Sequence, residues 1–134
     1  MKSNESAEMY LETILILKKS QAQVRAIDIV RSTGYTKPSV SRAVGLLKER
    51  GHIEVDESGH IELTEAGSLL ATKILERHHV LVDFLKQLGV SDEIADDDAC
   101  KMEHVISDET LEKMKAFLAK KEVRRNTEMQ IHLL

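Results

Sequence analysis

Polar and apolar residues alternate in His52-Ile53-Glu54-Val55 and again in His60-Ile61-Glu62-Leu63, around the turn-forming Asp56-Glu57-Ser58-Gly59. Two such runs predict a single β-hairpin as the only sheet. The rest of the core then has to come from helices. Composition agrees, because six glycines, one proline and 3% aromatic residues in 134 exclude turn-rich barrels and sandwiches. The reading is a mostly α protein of one or two small domains.

Helical periodicity places the other elements. Tyr10, Leu11, Ile14, Leu15 and Leu17 predict a helix from Ser6 to Ser20, closed by Lys18-Lys19-Ser20. Ala26, Ile27, Ile29 and Val30 predict a second, Val24 to Ser32, stopped by Thr33-Gly34. Thr36 is an N-cap, Pro38 fits a first turn, and Val40, Ala43, Val44, Leu46 and Leu47 carry a third helix to Gly51. After the hairpin, Thr64 caps a helix of about 24 residues ending at Gly89 and linking the two halves. An acidic helix from Ser91 to Val105 and a last one from Ser107 to about Lys121 complete the pattern, with a polar, frayed tail after Glu122.

Charge is unevenly spread. The formal net charge is −4, yet Lys18 to Arg50 holds eight lysines and arginines against only Asp28 and Glu49. A local basic surface is what phosphate binding requires. Two short helices broken by a glycine turn, then a hairpin, then a long helix, is the order of a winged helix-turn-helix, whose second helix enters the DNA major groove. Here that helix begins Thr36-Lys37-Pro38-Ser39-Val40-Ser41-Arg42, with donors concentrated in its first turn and a half and Val40, Val44 and Leu47 turned to the core. The predicted DNA-binding set is Arg25, Thr36, Lys37, Pro38, Ser39, Ser41, Arg42 and Lys48. Taken singly, each could equally be a cap or a solvated cation. The wing tip, Glu57 to His60, carries little positive charge.

A second constellation lies in the acidic half. Cys100, Glu103 and His104 stand at i, i+3 and i+4, which on a helix converges sulfur, oxygen and nitrogen donors on one face. That mixed set suits a divalent transition metal better than calcium or magnesium. The alternatives are a buried small cysteine beside a surface Glu-His pair, or a cysteine nucleophile with His104 as base. For the latter no orienting group or oxyanion loop is recognisable, so no enzyme is expected.

Beyond these readings, the chain resembles the diphtheria toxin repressor and manganese transport regulator family of metal-activated transcriptional repressors. The resemblance rests on Glu8-Met9-Tyr10-Leu11-Glu12-Thr13-Ile14, Lys37 to Val44, Leu63-Thr64-Glu65-Ala66-Gly67, Arg77-His78-His79 and Ala99 to Ser107. It implies an N-terminal winged helix domain over residues 1–70 and a helical metal-binding and dimerisation domain over 71–134, with no SH3-like third domain. It implies metal ligands Met9, Glu12, His78, Cys100, Glu103 and His104. Met9 and Cys100 match the iron-responsive branch, and Glu12 a carboxylate ligand of the manganese branch. Val82 and Asp96 stand where the iron branch's ancillary site has a carboxylate and a histidine.

Thioether and thiolate donors soften such a site, which favours Fe²⁺ with Mn²⁺ next, while Co²⁺, Ni²⁺ or Zn²⁺ can substitute in vitro. The expected partners are double-stranded palindromic operator DNA and a second copy of the chain, through Leu111, Met114, Phe117 and Leu118, residues that would serve an internal core as well. The expected role is control of metal uptake or homeostasis genes; a manganese-responsive or a metal-independent winged helix regulator is the alternative. No apolar run approaches the roughly 20 residues of a membrane span, no secretory signal is recognisable, and a single cysteine excludes a disulfide framework, so a cytoplasmic location is expected.

Overall fold

The computed structural model describes the backbone of residues 2–133 and the side chains of residues 7–122 and 124. Among these, the order is α1 Lys2–Ser20, α2 Ala26–Thr33, α3 Lys37–Glu49, β1 Ile53–Val55, β2 Ile61–Leu63, α4 Glu65–Gln87, α5 Asp92–Met102 and α6 Asp108–Leu133. The chain divides into two compact units, residues 1–75 and 76–134. No helix among the described residues is long and apolar enough to cross a membrane.

In the first unit, the apolar stripes read from the sequence meet around one core. Leu11 and Ile14 of α1, Ile29 of α2, Val40 and Leu47 of α3, and Ile53 and Ile61 of the hairpin are almost fully buried there, with Ala71 of α4. The turn between α2 and α3 closes on Gly34, whose φ of 76° is left-handed and whose N–H donates to the Val30 carbonyl at 2.8 Å. The hairpin is antiparallel, in the register Ile53↔Leu63, Glu54↔Glu62, Val55↔Ile61. Asp56 shapes its turn by accepting the N–H groups of Ser58 and His60 on one carboxylate oxygen, each at 2.9 Å. Those bonds, that from His60 foremost, lower the Asp56 pKa.

α4 starts under a tight constraint. Thr64 donates its hydroxyl to the Gly51 carbonyl at 2.6 Å and its N–H to that of His52 at 3.0 Å, while its hydroxyl oxygen accepts the Gly67 N–H at 3.1 Å. Gly67 passes so close to His52 that a Cβ there would lie 1.8 Å from the His52 carbonyl oxygen.

In the second unit, Leu81 of α4, Ala99 of α5 and Leu111 of α6 form a smaller core, lined by Val80, Val82, Leu85, Met102, Ile106 and Met114. Leu111 and Met114 therefore serve this unit's own core, whereas Phe117 is half-exposed and meets Phe84 edge-on at 5.7 Å.

Two expected elements end elsewhere. α5 stops at Met102 instead of reaching Val105, so Glu103 is its C-cap and His104 lies in the following turn. Arg77 braces that turn from outside: its guanidinium takes the carbonyls of Glu103 at 3.2 Å and Ile106 at 3.0 Å and the Asp108 carboxylate at 2.7 Å. α6 does not fray after Glu122 but continues to Leu133. From Ser107 onward the chain has no glycine or proline and is rich in strong helix formers. The side chains at 123 and 125–134 lie outside the described residues.

Candidate metal centre and nucleic-acid interface

Within the second unit, four side chains from three stretches of chain meet. His78 projects from α4 and places Nδ1 at 3.0 Å from Glu103 Oε2 and Nε2 at 2.9 Å from Asp96 Oδ1 of α5. His104 Nε2 lies 3.3 Å from the other Glu103 oxygen. The Glu103 side chain is completely buried, and His104 and His78 are 6% and 15% exposed. Although α5 has ended, Glu103 keeps helical φ and ψ and donates its N–H to the Ala99 carbonyl, so Asp96, Cys100 and Glu103 still follow one another at helical spacing.

A carboxylate sealed from water needs compensating charge or strong donors. Here it stands between two imidazoles. His104 Nε2 and the Glu103 oxygen facing it, 3.3 Å apart, are spaced as two donors each about 2.1 Å from one divalent ion would be, whereas His78 Nδ1 faces the other Glu103 oxygen. The imidazole and carboxylate donors present fit a divalent transition metal.

The remaining expected ligands are placed as follows. Cys100 is a half-buried thiol on α5, one turn before Glu103. Met9 and Glu12 lie one turn apart on α1 in the first unit, where Glu12 is 8% exposed. Val82 packs in the second unit's core. Asp96 was not among the expected ligands, although its position four residues before Cys100 and seven before Glu103 was the available signal.

The first unit carries the basic surface. Thr36 caps α3 by accepting the Ser39 N–H at 3.3 Å and donates its hydroxyl to Ser39 at 2.9 Å; Arg42 reaches the same Ser39 oxygen at 3.5 Å. Thr36, Lys37, Pro38, Ser41, Arg42 and Lys48 are exposed, and Ser39 is half-buried. The free amides of a helix start, flanked by Lys37 and Arg42, form an anion-attracting end. Arg25 is exposed at the start of α2, where its guanidinium bonds His60 Nε2 of the wing at 3.1 Å while His60 Nδ1 faces Asp56 at 3.1 Å. A cation thus stands beside a wing that has few of its own.

Residues 2–61 match the family description "Iron dependent repressor, N-terminal DNA binding domain", and residues 64–128 match "Iron dependent repressor, metal binding and dimerisation domain". The chain belongs to the iron-dependent repressor family. It is 36% identical over 116 residues to the transcriptional regulator MntR of Escherichia coli O6:H1, covering 87% of this chain and 75% of that one. It is 33% identical to an uncharacterized HTH-type transcriptional regulator of Methanocaldococcus jannaschii, covering 87% and 95%. A solved manganese-dependent transcriptional repressor in complex with manganese superposes with a TM-score of 0.78 at 28% identity, covering 84% of this chain and 52% of that one. The chain spans about half the length of that and other solved repressors of the family. Family membership carries both halves of the description, a DNA-binding domain with a wing and a helical metal-binding domain, and the family's members are repressors, not enzymes.

Proposed function

We propose that this chain is a divalent-metal-activated transcriptional repressor that binds palindromic operator DNA as a homodimer in the cytoplasm and controls metal uptake or homeostasis genes. The observation that carries the reading is Glu103, a fully buried carboxylate between His78 and His104 in a chain whose other unit exposes a donor-rich, cationic helix start. Met9 and Glu12 of α1, with His78, Cys100, Glu103 and His104, would hold the ion. When bound, it supplies a cross-link between the two parts of the chain, favouring one arrangement of the two α3 helices of a dimer. Lys37, Arg42, Lys48 and Arg25 contact phosphates, and Thr36, Pro38, Ser39 and Ser41 lie against the groove.

Met9 and Cys100 are soft donors, which favours Fe²⁺, followed by Mn²⁺. A manganese-responsive repressor is the second reading, favoured by the hard carboxylates Glu12 and Glu103 and by the manganese named for a related structure. Fluorescence anisotropy of a DNA duplex selected from random sequence, titrated anaerobically with Fe²⁺, Mn²⁺ or chelator, tests both. Affinity rises steeply with metal, and the rise is lost in Met9→Ala and Cys100→Ala; the ranking of ions decides between the readings. Lys37→Ala and Arg42→Ala each flatten the salt dependence by about one counterion. Equal affinity in chelator overturns the proposal and leaves a metal-independent regulator.

A further inference from the structure

Inside the first unit, α1 touches the start of α3 through a polar contact. Tyr35 donates its hydroxyl to Met9 Sδ at 3.5 Å, and its ring packs tilted against Tyr10, with centroids 5.6 Å apart. Its backbone N–H donates to Thr33 Oγ1 at 3.2 Å, and the next residue is Thr36, the cap of α3. One turn into α3, Arg42 bonds the Ser39 hydroxyl that Thr36 also bonds. Met9, Tyr35, Thr36, Ser39 and Arg42 thus form a chain of neighbours joining a thioether on α1 to the donor-bearing turn of α3.

We propose that Tyr35 is the positioning residue that transmits metal capture at Met9 to the first turn of α3. The proposal rests on the reading of Met9 as a ligand. A methionine side chain has three rotatable bonds and little rotamer preference of its own. Thioether sulfur has two lone pairs, so the Tyr35 hydroxyl can hold one and leave the other for a soft ion. A phenol that is 39% exposed could satisfy its hydroxyl with water. Spent on a weak acceptor such as sulfur, it gives little stability but couples the position of Met9 to the residue next to the α3 cap. Ring packing alone would be served as well by phenylalanine.

Tyr35→Phe keeps the ring on Tyr10 and removes only that bond. The experiment measures Kd for the selected duplex in saturating Fe²⁺ and in chelator, for the parent, Tyr35→Phe and Met9→Leu. Fe²⁺ affinity is measured by chelator competition without DNA, and the Met9 methyl resonance is followed by ¹³C NMR. In Tyr35→Phe the methyl resonance shifts and the ratio of the two DNA affinities falls about 3- to 10-fold, the size of one hydrogen bond's coupling. If both DNA affinities fall together and the ratio is unchanged, the role is structural and the proposal is overturned. If Met9→Leu loses Fe²⁺ affinity while Tyr35→Phe keeps the parent ratio, the ligand reading stands and the Tyr35 proposal alone fails. If Met9→Leu binds Fe²⁺ as the parent does, the reading of Met9 fails and the proposal with it.

Discussion

Replacing either of two glycines by alanine should move stability in opposite directions. At Gly67 an added Cβ would lie 1.8 Å from the His52 carbonyl oxygen and 2.7 Å from its carbon. An ordinary carbon–oxygen contact is about 3.3 Å, so the start of α4 and the start of the wing must part by about 1.5 Å. The colliding atoms are backbone and cannot rotate away. Overpacking of this kind costs about 1–3 kcal/mol. The displaced carbonyl also accepts the Thr64 N–H, and the Thr64 hydroxyl is the cap that receives Gly67, so disturbing the pair adds about 1–2 kcal/mol. Alanine returns roughly 1 kcal/mol as the better helix former. The net loss is about 1–4 kcal/mol.

Gly45 on α3 has open space where its Cβ would go, so Gly45→Ala should gain about 0.5–1 kcal/mol. Urea unfolding followed by far-UV circular dichroism in chelator measures both. With a slope of about 2 kcal/mol/M, the midpoint falls by about 0.5–2 M for Gly67→Ala and rises slightly for Gly45→Ala. A Gly67→Ala protein within about 0.5 kcal/mol of the parent would refute the close-approach argument.

Three other outcomes are expected. Arg77→Met strips the turn after α5 of its donors to the Glu103 and Ile106 carbonyls; it costs about 2–4 kcal/mol in urea unfolding and speeds amide exchange across residues 103–108. Asp96→Asn removes the carboxylate that holds His78 Nε2 and weakens metal binding about 10- to 100-fold in chelator competition; a change under about twofold would show that Asp96 orients nothing. Asp56 has a lowered pKa in the folded wing, chiefly through the His60 N–H. Its contribution is therefore present above the ordinary carboxylate pKa and lost as pH falls through the folded value, and the Ser58 and His60 amide resonances should move together across that acid range.

Local pattern carried most of the fold into the sequence. The α2 stop at Gly34, the α3 cap at Thr36 and the hairpin itself each depend on residues within a few positions of one another, and were readable for that reason. What stayed hidden depends on distant partners. The turn after α5 is braced by Arg77, which stands 26 positions before Glu103. Gly67 looks like an ordinary helical glycine until His52 lies against it. Glu103 beside His104 follows from their adjacency in the chain, but Asp96 on His78 and Tyr35 on Met9 are pairings that only the folded chain creates.

The wing has a further consequence. Glu54 and Glu62 face each other across its two strands, a like-charge pair that works against the hairpin in isolation. The offsetting contacts come from elsewhere: Lys18 of α1 reaches Glu62 at 2.7 Å, the Val24 carbonyl accepts the Ile61 N–H at 2.7 Å, and Arg25 bonds His60. All three partners precede the hairpin in the chain. A ribosome therefore delivers the docking surface before the strands that need it. The wing's strand edges are left open to another nascent chain only briefly, so protection against aggregation during synthesis is written into the order of the elements.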